Sequence, residues 1–526
     1  MENRERAIGN LVLPDIYFAG LWSRVPNQVR VTFFATFIAG LLIHLFKLAN
    51  NLPNHDGMAQ IFDSMSRPGS GRWFLSPVVA LGSNFSMPWV NGMLTILFIS
   101  LSACFVVSCL RIQRPFLGAL LGVIMVAFPT VAATMTYMSS TAAYFFSLLL
   151  VCAAAWLFRV HKFGAVFAIP LIVLSMGIYQ AYLGVVAALA VILLLIDILK
   201  RQSTNHAVLI KSFIFLGSLG MSVMLYLFIT RIFFGSQLVE YMGMNEMGVV
   251  ALSEIPSLIF RAYGYAAVIL FNNHFYFHWP IMRYAFLILT IATIALIALL
   301  VIRKKIYKDA YSMCLLVLFL AILPLAANIV YVQVAHALPH LLMVYGLVML
   351  FAAAIAVVDI AASITWSKRM SVIVFASFWV VVIVGFMSVY NYSIVTNRSY
   401  FALHMTYEQG YARSVALVTK IQQIEGYTSN DKIYFLGIPD PIASVNAPDL
   451  IGMTGVIKDI PSTWHYIGFL RHYLGFQNEI TALDITCTET SDFLQDTHDI
   501  DLLQFPVYPN DGSIARVNNL IFVRFE

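Results

Sequence analysis

Charge is scarce in this chain. Asp, Glu, Lys and Arg make up 11% of its 526 residues, against about 25% in an average soluble domain. Hydrophobic residues reach 60% and mean hydropathy is +0.83. These values exclude a soluble enzyme with one buried core, a disordered chain and a disulfide-built scaffold. Cysteine is rare too. Of five, Cys104, Cys109, Cys152 and Cys314 lie in apolar runs and Cys487 stands alone in a polar tail. No pair has metal-site spacing, and no disulfide framework follows. The sequence also lacks a P-loop, a glycine-rich dinucleotide turn and internal repeats, so chemistry driven by a soluble nucleotide is not expected. The net charge of +5 is spread as short clusters at the ends of apolar runs. That is a topology signal rather than a nucleic-acid footprint.

What is present is a series of apolar runs long enough to cross a bilayer as helices. Eleven are read, at about 31–48, 89–110, 116–134, 142–158, 164–179, 182–199, 210–230, 281–302, 311–327, 340–360 and 370–390. They do not alternate as barrel strands would. The polar N-terminus does not resemble a cleavable signal peptide, and the first run reads as an uncleaved anchor. With that end in the cytoplasm, the inner segments collect Arg24 and Arg30, Arg111 and Arg114, Arg159 and Lys162, Lys200, Arg201 and Lys211, Arg303 to Lys305, and Lys368 and Arg369. The outer segments carry isolated charges such as Arg67, Arg72, Arg231, Arg261 and Arg283. This asymmetry sets the orientation expected for an inner-membrane protein.

Three outer segments exceed mere connectors: 49–88, 231–280 and the tail 391–526. Ile255 to Phe271 is read as an interfacial or re-entrant helix, because a further span there would invert the basic loops. The tail has soluble composition, with helical spacing from Tyr411 to Ile424 and strand patterns at Lys432–Gly437 and Asn519–Arg524. The expected architecture is an all-α polytopic domain over 1–390 and a small periplasmic α/β domain over 391–526.

Candidate chemistry gathers in the outer segments. The first loop holds Asn54-His55-Asp56-Gly57, then Asp63, then Arg67 and Gly71-Arg72-Trp73. Asp56 could serve as general base for an acceptor hydroxyl, whose pKa lies far above neutral. It equally suits a turn or a helix cap. His55 and Asp63 are possible helpers, and Asp63 also fits a solvated position. Arg67, Arg72 and Arg231 suit phosphate, which guanidinium pairs with bidentately, or snorkelling to headgroups. Trp73, Tyr179, Gln180 and Tyr182 suit a sugar or the interfacial aromatic belt. Asn272, Asn273, His274, His278 and Trp279 form a further polar cluster. His336 and His340 have helical metal spacing, but Pro339 between them and the lack of a carboxylate count against a site. Few ionisable residues fall within spans (His44, Lys47, Asp197 and Asp359). No charged pathway crosses the bilayer, which weighs against an ion-coupled transporter.

The order of Asn54-His55-Asp56-Gly57, Gly71-Arg72-Trp73 and Gly177-Ile178-Tyr179-Gln180-Ala181-Tyr182 resembles the Gtr-type bacterial glucosyl transferases of serotype-converting phages and their chromosomal relatives. The likeness covers roughly residues 30 to 390. It implies a membrane glycosyltransferase of GT-C architecture that moves one sugar, typically glucose, from undecaprenyl phosphate to a lipopolysaccharide O-antigen or related glycan on the periplasmic side. It implies an essential carboxylate at Asp56, a Gly-Arg-Trp element at Gly71, Arg72 and Trp73, and a Tyr-Gln element at Tyr179 and Gln180. No cofactor or metal is expected, because arginines can stabilise a departing lipid phosphate. The alternatives are a polyprenyl-linked sugar transporter or flippase, and an O-antigen polymerase or ligase.

Overall fold

The computed structural model describes residues 13–62, 68–82, 84–238, 253–272, 279–333, 339–437, 463–483, 505–517 and 519–525. All eleven apolar runs are helical. Nine helices among the described residues are long and apolar enough to cross a membrane, or ten with one bent pair counted as a single span. The chain is therefore an all-helical polytopic membrane protein that also carries a small sheet.

Local sequence sets the helix ends. Pro88 and Pro115 open helices at positions where a missing N–H costs nothing. Arg111 and Arg201 close helices in the left-handed conformation, with φ of 52° and 50°. The third run departs from the expected single span. It is Pro115–Ala127 followed by Pro129–Met135, bent by 43°. Pro129 cannot donate to the preceding turn and pushes Phe128 out of helical geometry. Ile255–Phe271 forms a helix that lies against the bundle. Asn328 donates to the Ala262 carbonyl at 2.9 Å, and Tyr263 donates to that of Ala321 at 2.5 Å.

The basic clusters meet at one end of the bundle. Arg159 and Lys211 clamp the buried Asp197 at 2.6 and 2.5 Å. Arg114 pairs with the buried Asp359 at 2.9 Å, and Arg201 donates to the Lys305 carbonyl at 3.1 Å. A buried carboxylate is tolerated only when paired in this way. His44 and Lys47 are buried by packing as well. His44 bridges the Tyr400 hydroxyl and the Val126 carbonyl at 2.8 and 3.0 Å, and Lys47 donates to the Leu52 carbonyl at 2.5 Å.

The last helix differs most from expectation. A span ending near 390 and a separate helix from 411 were anticipated. A single helix, Lys368–Gln422, runs through both. It continues because residues past 390 keep packing: Tyr400 and Leu403 bury against Leu52 and Ala132 at the far end of the first span, Asn27–Ala49. Beyond it lies a four-stranded sheet of β1 (Lys432–Leu436), β2 (Ile480–Leu483), β3 (Ile514–Val517) and β4 (Leu520–Arg524), in the order β2-β1-β4-β3. The two strands expected from sequence, β1 and β4, pair in parallel with Ile433 opposite Ile521, while β3 and β4 are antiparallel. Ile433, Phe435, Ile521 and Val523 bury one sheet face against Leu417 and Ile421 of the long helix and Phe469 and Leu470 of a short helix, Thr463–Leu474. The tail is thus fastened to the membrane bundle by a continuous helix and a shared core.

Candidate active site

The short helix His55–Ala59 opens the first long loop. Its cap is Asn54, whose side-chain oxygen accepts from the Gly57 N–H at 2.8 Å. That satisfies an orphan donor of the first turn and leaves the Asp56 carboxylate out of the capping role considered for it. Asp56 instead faces two imidazoles. His55 Nε2 lies 3.4 Å from Asp56 Oδ1, and His465 Nε2 lies 3.5 Å from the same oxygen. The side chains are 35%, 19% and 13% exposed for Asp56, His55 and His465 respectively, sheltered but reachable. Burial pushes the Asp56 carboxyl up. The contact with His465 and the charges of His55, His465 and Arg72 act the other way and prevail, so it sits below the ordinary carboxylate value.

His465 comes from the tail, on Thr463–Leu474, and the sequence reading did not single it out. Its only local signal is a histidine beside Trp464 on an amphipathic helix, with the two rings 4.9 Å apart. What brings it to Asp56 is docking of the tail on the loop. Met58 is fully buried in the tail core beside Phe469 and Leu470. Tyr473 donates to the Gly57 carbonyl at 3.3 Å and accepts from Asn51 at 3.2 Å. Gly468 lets the two helices touch: a Cβ there would stand 2.7 Å from both Cα and Cβ of Ala59, inside van der Waals contact.

The other two motifs pack against each other. The Phe74 N–H donates to the Gly177 carbonyl at 2.8 Å. Gln180 is buried, and its amide nitrogen donates to the Ser70 carbonyl at 3.1 Å and the Tyr226 hydroxyl at 2.8 Å. Tyr226 in turn donates to the Gly71 carbonyl at 3.1 Å. Gly71 has φ of +72°, and a Cβ would meet the Tyr226 hydroxyl at 2.6 Å, so this turn needs glycine. The result aims Arg72. Its Nη1 donates to the Tyr144 hydroxyl at 3.1 Å, and its guanidinium lies 5.3 Å from the Tyr179 ring centre and 5.8 Å from that of Tyr144. Tyr144 and Tyr179 stack at 4.5 Å. The buried hydroxyls of Tyr179 and Tyr182 meet no hydrogen-bond partner among the described residues. Trp73 is half-buried, donates to Thr230 Oγ1 at 3.2 Å and stacks on Phe234 at 6.0 Å.

The two clusters are close enough to influence one another electrostatically. The Arg72 charge acts on Asp56, and the His55 ring meets that of Tyr137 edge-on at 6.0 Å. Arg231 is exposed on the last turn of Asn205–Phe234, and among the described residues no contact joins it to Asp56 or Arg72. Asp63, Arg67, Asn273, His274, His278, His336 and Cys487 lie outside the described residues. A carboxylate held ionised near a fixed guanidinium can take a proton from a hydroxyl while a neighbouring anion is stabilised. His55, Asp56 and His465 each also offer one ligand atom, all within 4.8 Å of one another.

This fold and site define a polytopic membrane protein whose first long loop carries a carboxylate between two imidazoles and, further on, a guanidinium held by aromatic rings. Residues 45–351 match the sequence model of the family described as Glucosyl transferase GtrII. The chain belongs to that family of glycosyltransferases, as the three motifs led us to expect. The matched segment contains Asp56, Arg72, Tyr179 and Gln180, whereas His465 lies beyond it. No significant match was found among curated proteins or solved structures.

Proposed function

We propose that the protein transfers one glucose from undecaprenyl phosphate to an O-antigen or related surface glycan, at the periplasmic face of the bacterial inner membrane. The observation that carries this reading is that the charge of Arg72, held by Tyr144, acts on the sheltered Asp56 carboxylate in a glucosyl transferase family member. The basic clusters gather at one end of the bundle. By the positive-inside rule that end is cytoplasmic, which leaves the loop carrying Asp56 outside. Soluble nucleotide sugars are not available there, so a lipid-linked donor meets the need.

In this reading Asp56 takes the proton of the acceptor hydroxyl as its oxygen attacks the sugar's anomeric carbon. The bond from that carbon to the lipid phosphate breaks, and Arg72 stabilises the charge left on the phosphate. Tyr179 and Tyr182 offer buried hydroxyls to the sugar. Trp73 and Gln180 hold the element that aims Arg72. The tail, 391–526, is a periplasmic α/β domain that closes over the first loop.

The test is Asp56→Asn, which keeps shape and removes the base. Loss of a positioned base costs about 10²–10⁴-fold in rate. Mass spectrometry of the host glycan is expected to show one hexose missing per repeat, with the variant still present in the membrane. Unchanged glycan would overturn the assignment of Asp56. Shortened chains with the hexose retained would point to a polymerase or ligase instead.

A further inference from the structure

We propose that His55, Asp56 and His465 bind one divalent transition-metal ion, with zinc the best-matched ion, and that the tail thereby completes the site. Two histidines and one carboxylate form a three-ligand zinc set of the kind that leaves a fourth position open. The spacing fits. Ligand atoms about 2.0–2.1 Å from a tetrahedral zinc stand about 3.3 Å from one another, and the two imidazole nitrogens lie 3.4 and 3.5 Å from Asp56 Oδ1. All three ligand atoms fall within 4.8 Å of one another. The nitrogen donors favour zinc or its neighbours over magnesium and calcium, which take oxygen ligands.

Nothing in the sequence spacing announces this set, because two ligands are adjacent and the third lies in the tail, outside the matched segment 45–351. The inference deepens the proposed function and recasts one role in it: with an ion bound, Asp56 would act as its ligand, and the ion would polarise a phosphate oxygen or acidify the acceptor hydroxyl brought to its open position. Only that consequence rests on the transferase reading; the binding itself does not.

The experiment uses full-length protein in detergent, stripped by a chelator and titrated with Co²⁺. One Co²⁺ per chain is expected, with the visible absorption of four-coordinate cobalt, and Zn²⁺ is expected to displace it. His465→Ala and His55→Ala are expected to weaken Co²⁺ binding by more than the about 10- to 100-fold cost of losing an outer-shell partner. His472→Ala, on the same tail helix, is expected to retain it. Amide exchange over 463–474 checks that the His465→Ala tail remains docked, and His55→Ala gives a second reading that leaves the tail unaltered. Absence of a stoichiometric cobalt spectrum in the unsubstituted protein would overturn the proposal. So would a spectrum that persists unchanged in both histidine variants. The titration contains no sugar, so a failed transfer assay and a failed metal assay are separate results.

Discussion

The docking of the tail on the first loop turns on Gly468, and Gly468→Val tests it. A Cβ at this position would lie 2.7 Å from the Cα and Cβ of Ala59, about 1 Å inside the normal carbon–carbon contact of about 3.5–4.0 Å. Both sides are helix, so neither relaxes cheaply. Overpacking of this kind costs about 1–3 kcal/mol, equivalent to about a 5- to 150-fold fall in the ratio of docked to undocked tail. Native-state amide exchange reads that ratio directly, because local opening limits protection. Amides of His55–Ala59 and Thr463–Leu474 should exchange faster by that factor, while those of Pro88–Leu110 stay unchanged. Transfer activity should fall in parallel, since His465 leaves Asp56. Protection unchanged at both helices would refute the close approach. Faster exchange with full activity would refute the need for the tail in the site.

Arg72→Lys keeps the charge but loses the fork and the stacking on Tyr179. A hydrogen bond to a charged group is worth about 1.5–3 kcal/mol, so transfer should slow about 10- to 150-fold in a membrane assay with lipid-linked glucose. Gln180→Leu leaves the Ser70 carbonyl and the Tyr226 hydroxyl without their shared donor, at about 1–3 kcal/mol. Its signature is a raised KM for the donor with the protein still folded, because Arg72 is misplaced rather than removed. Asp197→Asn removes the charge that Arg159 and Lys211 share at the basic end. Breaking a buried pair costs about 3–5 kcal/mol, so the melting temperature in detergent should drop clearly. A substrate KM that moved with it would contradict the separation of that end from the site.

How far the sequence reached can be seen residue by residue. The apolar runs were legible because lipid demands about 20 apolar residues per helix and offers the backbone no other partner. β1 and β4 were legible from their short apolar pattern. The 55-residue helix Lys368–Gln422 was not, because composition changes near 390 while helical packing of Tyr400 and Leu403 does not. The bend before Pro129 was missed because hydropathy is blind to a missing N–H. Within the site, the Asp56 loop and the Arg72 and Tyr179 elements were each legible as motifs. Their mutual arrangement was not. Gln180 looks like a sugar ligand in sequence, yet its amide nitrogen holds Ser70 and Tyr226.

By itself, then, the sequence determined a membrane bundle, its basic end and a loop carboxylate, since transfer from water to lipid and charge asymmetry act on local stretches of chain. Only the tertiary structure decided that the tail closes on that loop and sets His465 beside Asp56. That contact depends on Met58 finding the tail core and on Gly468 admitting Ala59. Both are matters of shape between segments far apart in sequence, and no local pattern records them.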